Sequence, residues 1–223
     1  INKLLFIKKE LDPHRSPIGA IGTIEEGFYE NWDFIVNTAL SNIKKEKISK
    51  VVLARRKKVN LNYSPCIREI ISSLENNYPE CYIFSYKVNE SIFFGATPER
   101  LAKIENGIIE TDAMAGSIKR GIDEQEDDFF AHKILKDKKE IEEHKAVVDY
   151  LLDKLSFFSD NIEYNKQPLV KKLSNIQHLW VPIKAKLKKD VSILTTIKQL
   201  FPTPAVCGYP KQNALEMIEE LEE

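Results

Sequence analysis

Between residues 28 and 48, apolar side chains return every three or four positions, at Phe28, Trp32, Ile35, Ala39 and Ile43. That period predicts a helix with one apolar stripe, and the lysine-rich stretch Lys44-Lys45-Glu46-Lys47 suits its electronegative C-terminal end. From Lys50 to about Leu61 the pattern becomes that of extended chain. Val51-Val52-Leu53-Ala54 is apolar at successive positions, which predicts a strand covered on both faces and therefore central. Ser64-Pro65 opens a second helix, with Ile67, Ile70, Ile71 and Leu74 on one stripe.

Hairpins follow. Tyr82 to Val88 turns at Asn89-Glu90-Ser91 into Ile92-Phe93-Phe94-Gly95, and Leu101 to Ile104 turns at Asn106-Gly107 into Ile108 to Thr111. Asn-Gly is a strong hairpin signal because both residues tolerate positive φ. A long helix is expected from about Glu124 to Leu155, then a strand over residues 176–187, where Pro182 argues for an edge position or a bulge. Asp190 is placed to cap a helix carrying Ile193, Leu194, Ile197 and Leu200. Phe201-Pro202-Thr203-Pro204 breaks it, and a last helix is expected from about Asn213 to Glu222. Antiparallel strands with interspersed helices, without repeats or an obvious linker, predict a single α+β unit.

Composition narrows the picture. The chain has 223 residues, 43% of them hydrophobic and 30% charged, which is enough for a real core in a soluble globular protein. A net charge of -1 supplies no long-range attraction to nucleic acid. The basic runs at Arg55 to Lys58 and Lys184 to Lys189 are offset by acidic ones such as Glu219 to Glu223, and read as solvated faces. No apolar run approaches the ~20 residues of a membrane span. Three cysteines (Cys66, Cys81, Cys207) without metal-like spacing favour a reducing compartment, the cytoplasm. The opening Ile1 to Lys9 is too short and wrongly flanked for a signal peptide, and the missing initiator methionine suggests a piece of something longer.

Several residues carry candidate chemistry. Lys50 stands at the mouth of an apolar strand. There a partly desolvated amine has a lowered pKa and serves as a general base; the competing reading is a strand-end lysine reaching out to water. Glu99 lies in the turn Gly95-Ala96-Thr97-Pro98-Glu99-Arg100 after an aromatic strand. A carboxyl against aromatic walls has a raised pKa and can donate a proton, whereas a surface glutamate would pair with Arg100 or another cation. Glu140 and Glu143 are neighbours on one helix face, bordering the apolar side continued by Val147 and Leu151, with His144 beside them. Such a pair suits Mg2+, which takes few protein oxygens; the alternative is a solvated face in which Lys139 pairs with Glu143. Gly116 and Ser117 are expected in a loop between strand and helix, whose backbone N–H groups and hydroxyl could hold a carboxylate or simply connect elements. His178 is either a hydrogen-bonded core histidine or a catalytic one.

Taken in order, six segments resemble the chorismate-utilising enzymes. They are Lys50-Val51-Val52-Leu53-Ala54-Arg55, Gly95-Ala96-Thr97-Pro98-Glu99, Ala115-Gly116-Ser117 with Arg120-Gly121, Glu143-His144, His178-Leu179, and Pro202-Thr203-Pro204-Ala205-Val206-Cys207-Gly208. The resemblance spans residue 28 to the end. It implies a chorismate-binding-enzyme-like fold, α+β with a large antiparallel sheet core and helices packed outside, incomplete at both ends. Residues 1–27 would be an N-terminal remnant, and residues 28–223 a chorismate-binding domain lacking its C-terminal strands. The usual next segment, with another metal-binding glutamate and a substrate-binding arginine, has no counterpart, so unpaired sheet edges and a fragment are expected.

Within the family the chain looks most similar to the isochorismate synthases. Lys50 stands where the water-using enzymes keep a lysine and anthranilate synthases have none. Ala205 stands where amine-adding enzymes read Pro-Ala-Gly-Thr and salicylate synthases tend to have threonine. The resemblance implies that Lys50 and Glu99 are the catalytic base and acid on chorismate. It assigns Mg2+ to Glu143 supported by Glu140, and substrate contacts to Gly116, Ser117, His178 and Ala205. It implies no glutaminase subunit. The remaining alternatives are a salicylate or aminodeoxychorismate synthase of the same fold, or an inactive fragment or binding module.

Overall fold

The structure, a computed structural model, describes residues 21–25, 29–55, 58–61, 64–189 and 191–222. In chain order the elements are β1 (Ile21–Glu25), α1 (Tyr29–Lys44), β2 (Lys50–Val51), β3 (Lys58–Leu61), α2 (Ile67–Asn77), β4 (Tyr82–Val88) and β5 (Ser91–Thr97). Then come β6 (Lys103–Glu105), β7 (Ile108–Lys119), α3 (Glu124–Ile134), α4 (Lys138–Ser156), β8 (Ser159–Tyr164), β9 (Leu169–Lys172) and β10 (Ile176–Leu187). The last three are α5 (Ile193–Leu200), β11 (Gly208–Tyr209) and α6 (Lys211–Leu221). This is an α+β fold in which the described strand pairings are antiparallel.

The largest sheet has five strands in the order β6-β7-β10-β8, with β9 also paired to β10. Its long strands alternate. On β10, Leu179, Val181, Ile183 and Ala185 are buried, while His178, Trp180 and Pro182 between them are half-buried. Val181, Ile183 and Ala185 pack with Ile109 and Ala113 of β7 against Val147, Val148, Leu151 and Leu155 of α4. Each such aliphatic side chain contributes about 1.5–3 kcal/mol by leaving water. This core fixes which sheet face is covered by helix, and leaves the opposite face for polar side chains. The remaining strands form two-stranded units, β1-β3, β11-β2 and β4-β5.

Five local expectations are corrected. The single helix from Glu124 to Leu155 is two helices, because Asp137 interrupts it: its carboxylate accepts from Lys139 N and Glu140 N and caps α4. The strand from Lys50 to Leu61 is two short strands in different sheets, and β2 is not central: it pairs with β11 and its residues are half-buried. β10 is neither an edge nor bulged at Pro182. Pro182 fits an interior strand because the position opposite it falls between the end of β8 at Tyr164 and the start of β9 at Leu169, where no ladder N–H is required. Ser192, accepting from Thr195 N at 3.1 Å, caps α5; Asp190 lies outside the described residues, as do Phe28 and most of residues 1–27. Gly116 and Ser117 lie within β7, not in a loop.

Candidate active site

Where β7 pairs with β10 the register slips by one residue. His178 pairs with Ser117 but Leu179 pairs with Ala115, leaving Gly116 as the extra residue of a bulge. Gly116 has φ +76, a left-handed conformation open to glycine, and a Cβ built on it would stand 2.9 Å from Glu140 Oε2. The bulge turns the Ser117 N–H out of the ladder, and Glu140 accepts it at 3.1 Å from the first turn of α4. It also returns Ser117 to the face shared by Asp112 and Met114. Ser117 Oγ lies 2.9 Å from His178 Nδ1, which is also 3.2 Å from the Gly116 carbonyl oxygen. A carbonyl only accepts, so the Nδ1–H tautomer serves this contact and leaves Nε2 with a lone pair. Burial holds the His178 pKa below its ordinary value, against the Gly116 bond, with the Lys171 charge also lowering it.

The segment that carries Glu99 is tied to the same sheet through Lys171 of β9 and Asp112 of β7. The Glu99 pKa is pushed up to about 7, first by burial and second by the Asp112 carboxylate. Around it, Lys171 Nζ donates to the Pro98 carbonyl at 3.1 Å, and Asp112 N donates to the Arg100 carbonyl at 3.1 Å. Arg100 binds Glu110 at 2.7 Å and lies 3.4 Å from Asp112, while Trp180 Nε1 donates to Asp112 Oδ1 at 2.9 Å. Glu99 is therefore not the arginine-paired surface carboxylate, since Arg100 is committed elsewhere. Sequence reasoning missed Asp112, Lys171 and Trp180. The acidic Glu110 and Asp112 within the strand were the available signal for the first; nothing local marked Lys171.

Lys50 and Ala205 belong to a second cluster. Lys50 pairs with Tyr209, Val52 N donates to the Cys207 carbonyl at 2.7 Å, and a Cβ on Gly208 would fall 2.2 Å from the Lys50 carbonyl oxygen, so only glycine allows the approach. Ala205, half-buried, packs on the main core. Its loop is held to α4 by the Tyr150 hydroxyl, 3.2–3.4 Å from the carbonyl oxygens of Gln199, Leu200 and Pro202. Direct contacts thus join Gly116, Ser117, His178 and Glu140, with the Glu99 segment tied to the same sheet. The described contacts do not link Lys50 to Glu99, and the three described cavities are lined by neither.

Glu143, half-buried, lies 4.0 Å from the exposed Lys139, an i,i+4 arrangement worth only ~0.3–0.5 kcal/mol. That pair is weak enough to leave the carboxylate available. Glu140 and Glu143, one turn apart on α4, offer the hard oxygen donors that Mg2+ takes, so the donor set fits that ion. Among the described residues no group of three or more His, Cys, Asp or Glu forms a protein-only cage. His144 is a core histidine: it is buried, its Nε2 lies 3.2 Å from the Ala113 carbonyl oxygen, and burial lowers its pKa against that bond. Among the described residues no helix is long and apolar enough to cross a membrane.

A bulged antiparallel sheet under one long helix, with Ser117 and His178 on its open face, is the frame of the site. The chain belongs to the family of chorismate binding enzymes, whose model matches residues 2–223. It is 33% identical over 202 residues to the isochorismate synthase MenF of Bacillus subtilis, covering 91% of this chain and 43% of that protein. It is 35% identical over 211 residues to the salicylate biosynthesis isochorismate synthase of Pseudomonas aeruginosa, covering 94% of this chain and 44% of that protein. Anthranilate synthase component 1 of Saccharolobus solfataricus is 30% identical, with 92% and 50% covered. The chain therefore spans about half the length of the curated relatives it matches. Among solved structures, the 2,3-dihydroxybenzoate-specific isochorismate synthase of Bacillus anthracis superposes with TM-score 0.83 at 27% identity, over 90% of this chain and 56% of that one. The menaquinone-specific isochorismate synthase of Escherichia coli reaches TM-score 0.86 at 24% identity, over 96% and 50%, a likeness of fold.

Proposed function

We propose that the protein carrying this chain is an isochorismate synthase, a Mg2+-dependent isomerase that moves a hydroxyl group on chorismate. The observation that carries the reading is identity of 33% and 35% with isochorismate synthases over more than nine-tenths of the chain, with Lys50 and Ala205 at the two discriminating positions. The Glu99 carboxyl, held at about 7, supports it chemically: near neutral pH it is poised to give up a proton.

In this reading Lys50 takes a proton from water as the water oxygen bonds to C2 of chorismate. The ring double bonds shift, the C4–O bond breaks, and Glu99 protonates the departing hydroxyl, so one water enters and one leaves. Gly116 and Ser117 hold the carboxylate end of the ring, and His178 and Ala205 line the ring site. Glu143, supported by Glu140, would hold Mg2+, which supplies positive charge opposite the substrate carboxylate. Separating acid from base lets one proton leave as another arrives.

Product analysis tests this. The complete reading frame that encodes the chain, expressed and supplied with chorismate and Mg2+, is expected to yield isochorismate alone. Salicylate with pyruvate, or an aminated product that requires ammonia, would replace the reading by a salicylate or an aminodeoxychorismate synthase. The 30% identity to an anthranilate synthase component keeps the aminating arm in the assay. No product under any of these conditions would favour a binding module.

A further inference from the structure

Glu99 sits in a turn, where a carboxyl ordinarily ranges over several ångströms, yet the contacts around it close into a loop. Lys171 of β9 donates to the Pro98 carbonyl at 3.1 Å, and its ammonium stands 5.4 Å from the centre of the Trp180 ring. Trp180 Nε1 donates to Asp112 Oδ1 at 2.9 Å. Asp112 in turn holds Arg100, through Asp112 N to the Arg100 carbonyl at 3.1 Å and through Oδ2, 3.4 Å from Arg100 Nε. The geometry points to Lys171 and Asp112 as positioning residues for Glu99, gripping the backbone on either side of it and so fixing where its carboxyl stands.

This inference rests on Glu99 being the proton donor. Both grips come from the sheet and not from the turn: β9 and β7 are each paired with β10, which carries Trp180 between them. The turn is thereby tied to the most extensively paired part of the fold. Asp112 from β7 is the charged group that acts on the Glu99 carboxyl; Lys171 from β9 is bound to the Pro98 carbonyl, and Arg100 to Glu110 and Asp112. The two grips differ in kind. Lys171 acts on the main chain alone, whereas Asp112 also presents a negative charge that opposes ionisation of Glu99.

The test uses the complete reading frame with chorismate, alongside Glu99 titration followed by carboxyl-carbon NMR and assigned with Glu99→Gln. Lys171→Met is expected to lower kcat by roughly 10- to 100-fold with KM changed less than about 2-fold, the size expected when a reacting group is misplaced by about 1 Å. Lys171→Arg, which still donates to a carbonyl, is expected to recover most of the turnover. Asp112→Asn keeps an acceptor for Trp180 and removes the charge, so Glu99 is expected to titrate lower and the alkaline limb of kcat to move toward acid. Wild-type kcat in Lys171→Met, while Glu99→Gln is inactive, would overturn the grip. An unchanged Glu99 titration in Asp112→Asn would overturn the charge effect given to Asp112, and that signal is readable without turnover. Full activity in Glu99→Gln would remove the proton-donor reading, and the positioning role with it.

Discussion

Replacing Glu99 by glutamine is expected to stabilise the fold at pH 8 and leave it unchanged at pH 4. Folded Glu99 titrates at about 7 against an ordinary 4.5, because burial and then the Asp112 charge disfavour its ionised form. Below the ordinary value both folded and unfolded chains are protonated, so the folded state is not penalised. As pH rises from about 4.5 to 7, the unfolded chain ionises and the folded one resists, and stability falls; above 7 the loss is complete. At ~1.4 kcal/mol per pH unit the displacement amounts to roughly 3 kcal/mol at full burial, and about 1–3 kcal/mol for a carboxyl that keeps some contact with water. Glutamine has nearly the shape of the protonated acid and never ionises, so it escapes this loss. For a chain of this length that is a rise in Tm of about 3–10 °C. Urea unfolding of both proteins at pH 4, 6 and 8 measures it. A Glu99→Gln difference that is the same at pH 4 as at pH 8, or a loss of stability at pH 8, would refute the reasoning. If Glu99 is the proton donor, the same variant loses turnover, so stability and function move in opposite directions at one residue.

Gly116→Ala is expected to destabilise by about 2–4 kcal/mol, since it strains a left-handed backbone and pushes Glu140 off the Ser117 N–H; urea unfolding checks it against Ala115→Gly as a control. Asp127 accepts from Arg120, Gly121, Gln177 and Lys172, and Arg120 first, then Gly121 and Lys172, hold its pKa well below the usual carboxylate range. Its contribution is therefore present at neutral pH and is lost as pH falls below about 4, so Asp127→Asn should flatten the acid limb of a stability–pH profile. Lys50→Ala is expected to lower turnover by roughly 10²–10⁴ if Lys50 is the base, and unchanged turnover removes it from the mechanism.

Hydrophobic period and turn chemistry determined much of this molecule from sequence alone. The stripe at Ile67, Ile70, Ile71 and Leu74, the Asn106-Gly107 hairpin and the extended stretch over residues 176–187 are local patterns, and each became the predicted element. The family was legible for the same reason: its motifs are short stretches that read the same in any context. Local pattern gave no warning of the break before α4, because Asp137 in a polar run looks like another solvated helical residue until its carboxylate turns back onto the backbone. Lys50 shows the converse, an apolar run that indicates burial in general but says nothing about which strand lies beside it. Tertiary structure alone decided the surroundings of Glu99. Pro98 and Lys171 are 73 residues apart, and Asp112 reaches Arg100 through the way β7 is laid against its neighbours. Residue identity specifies what a side chain can do; which charges stand within a few ångströms of it depends on register and packing, and these are properties of the whole sheet.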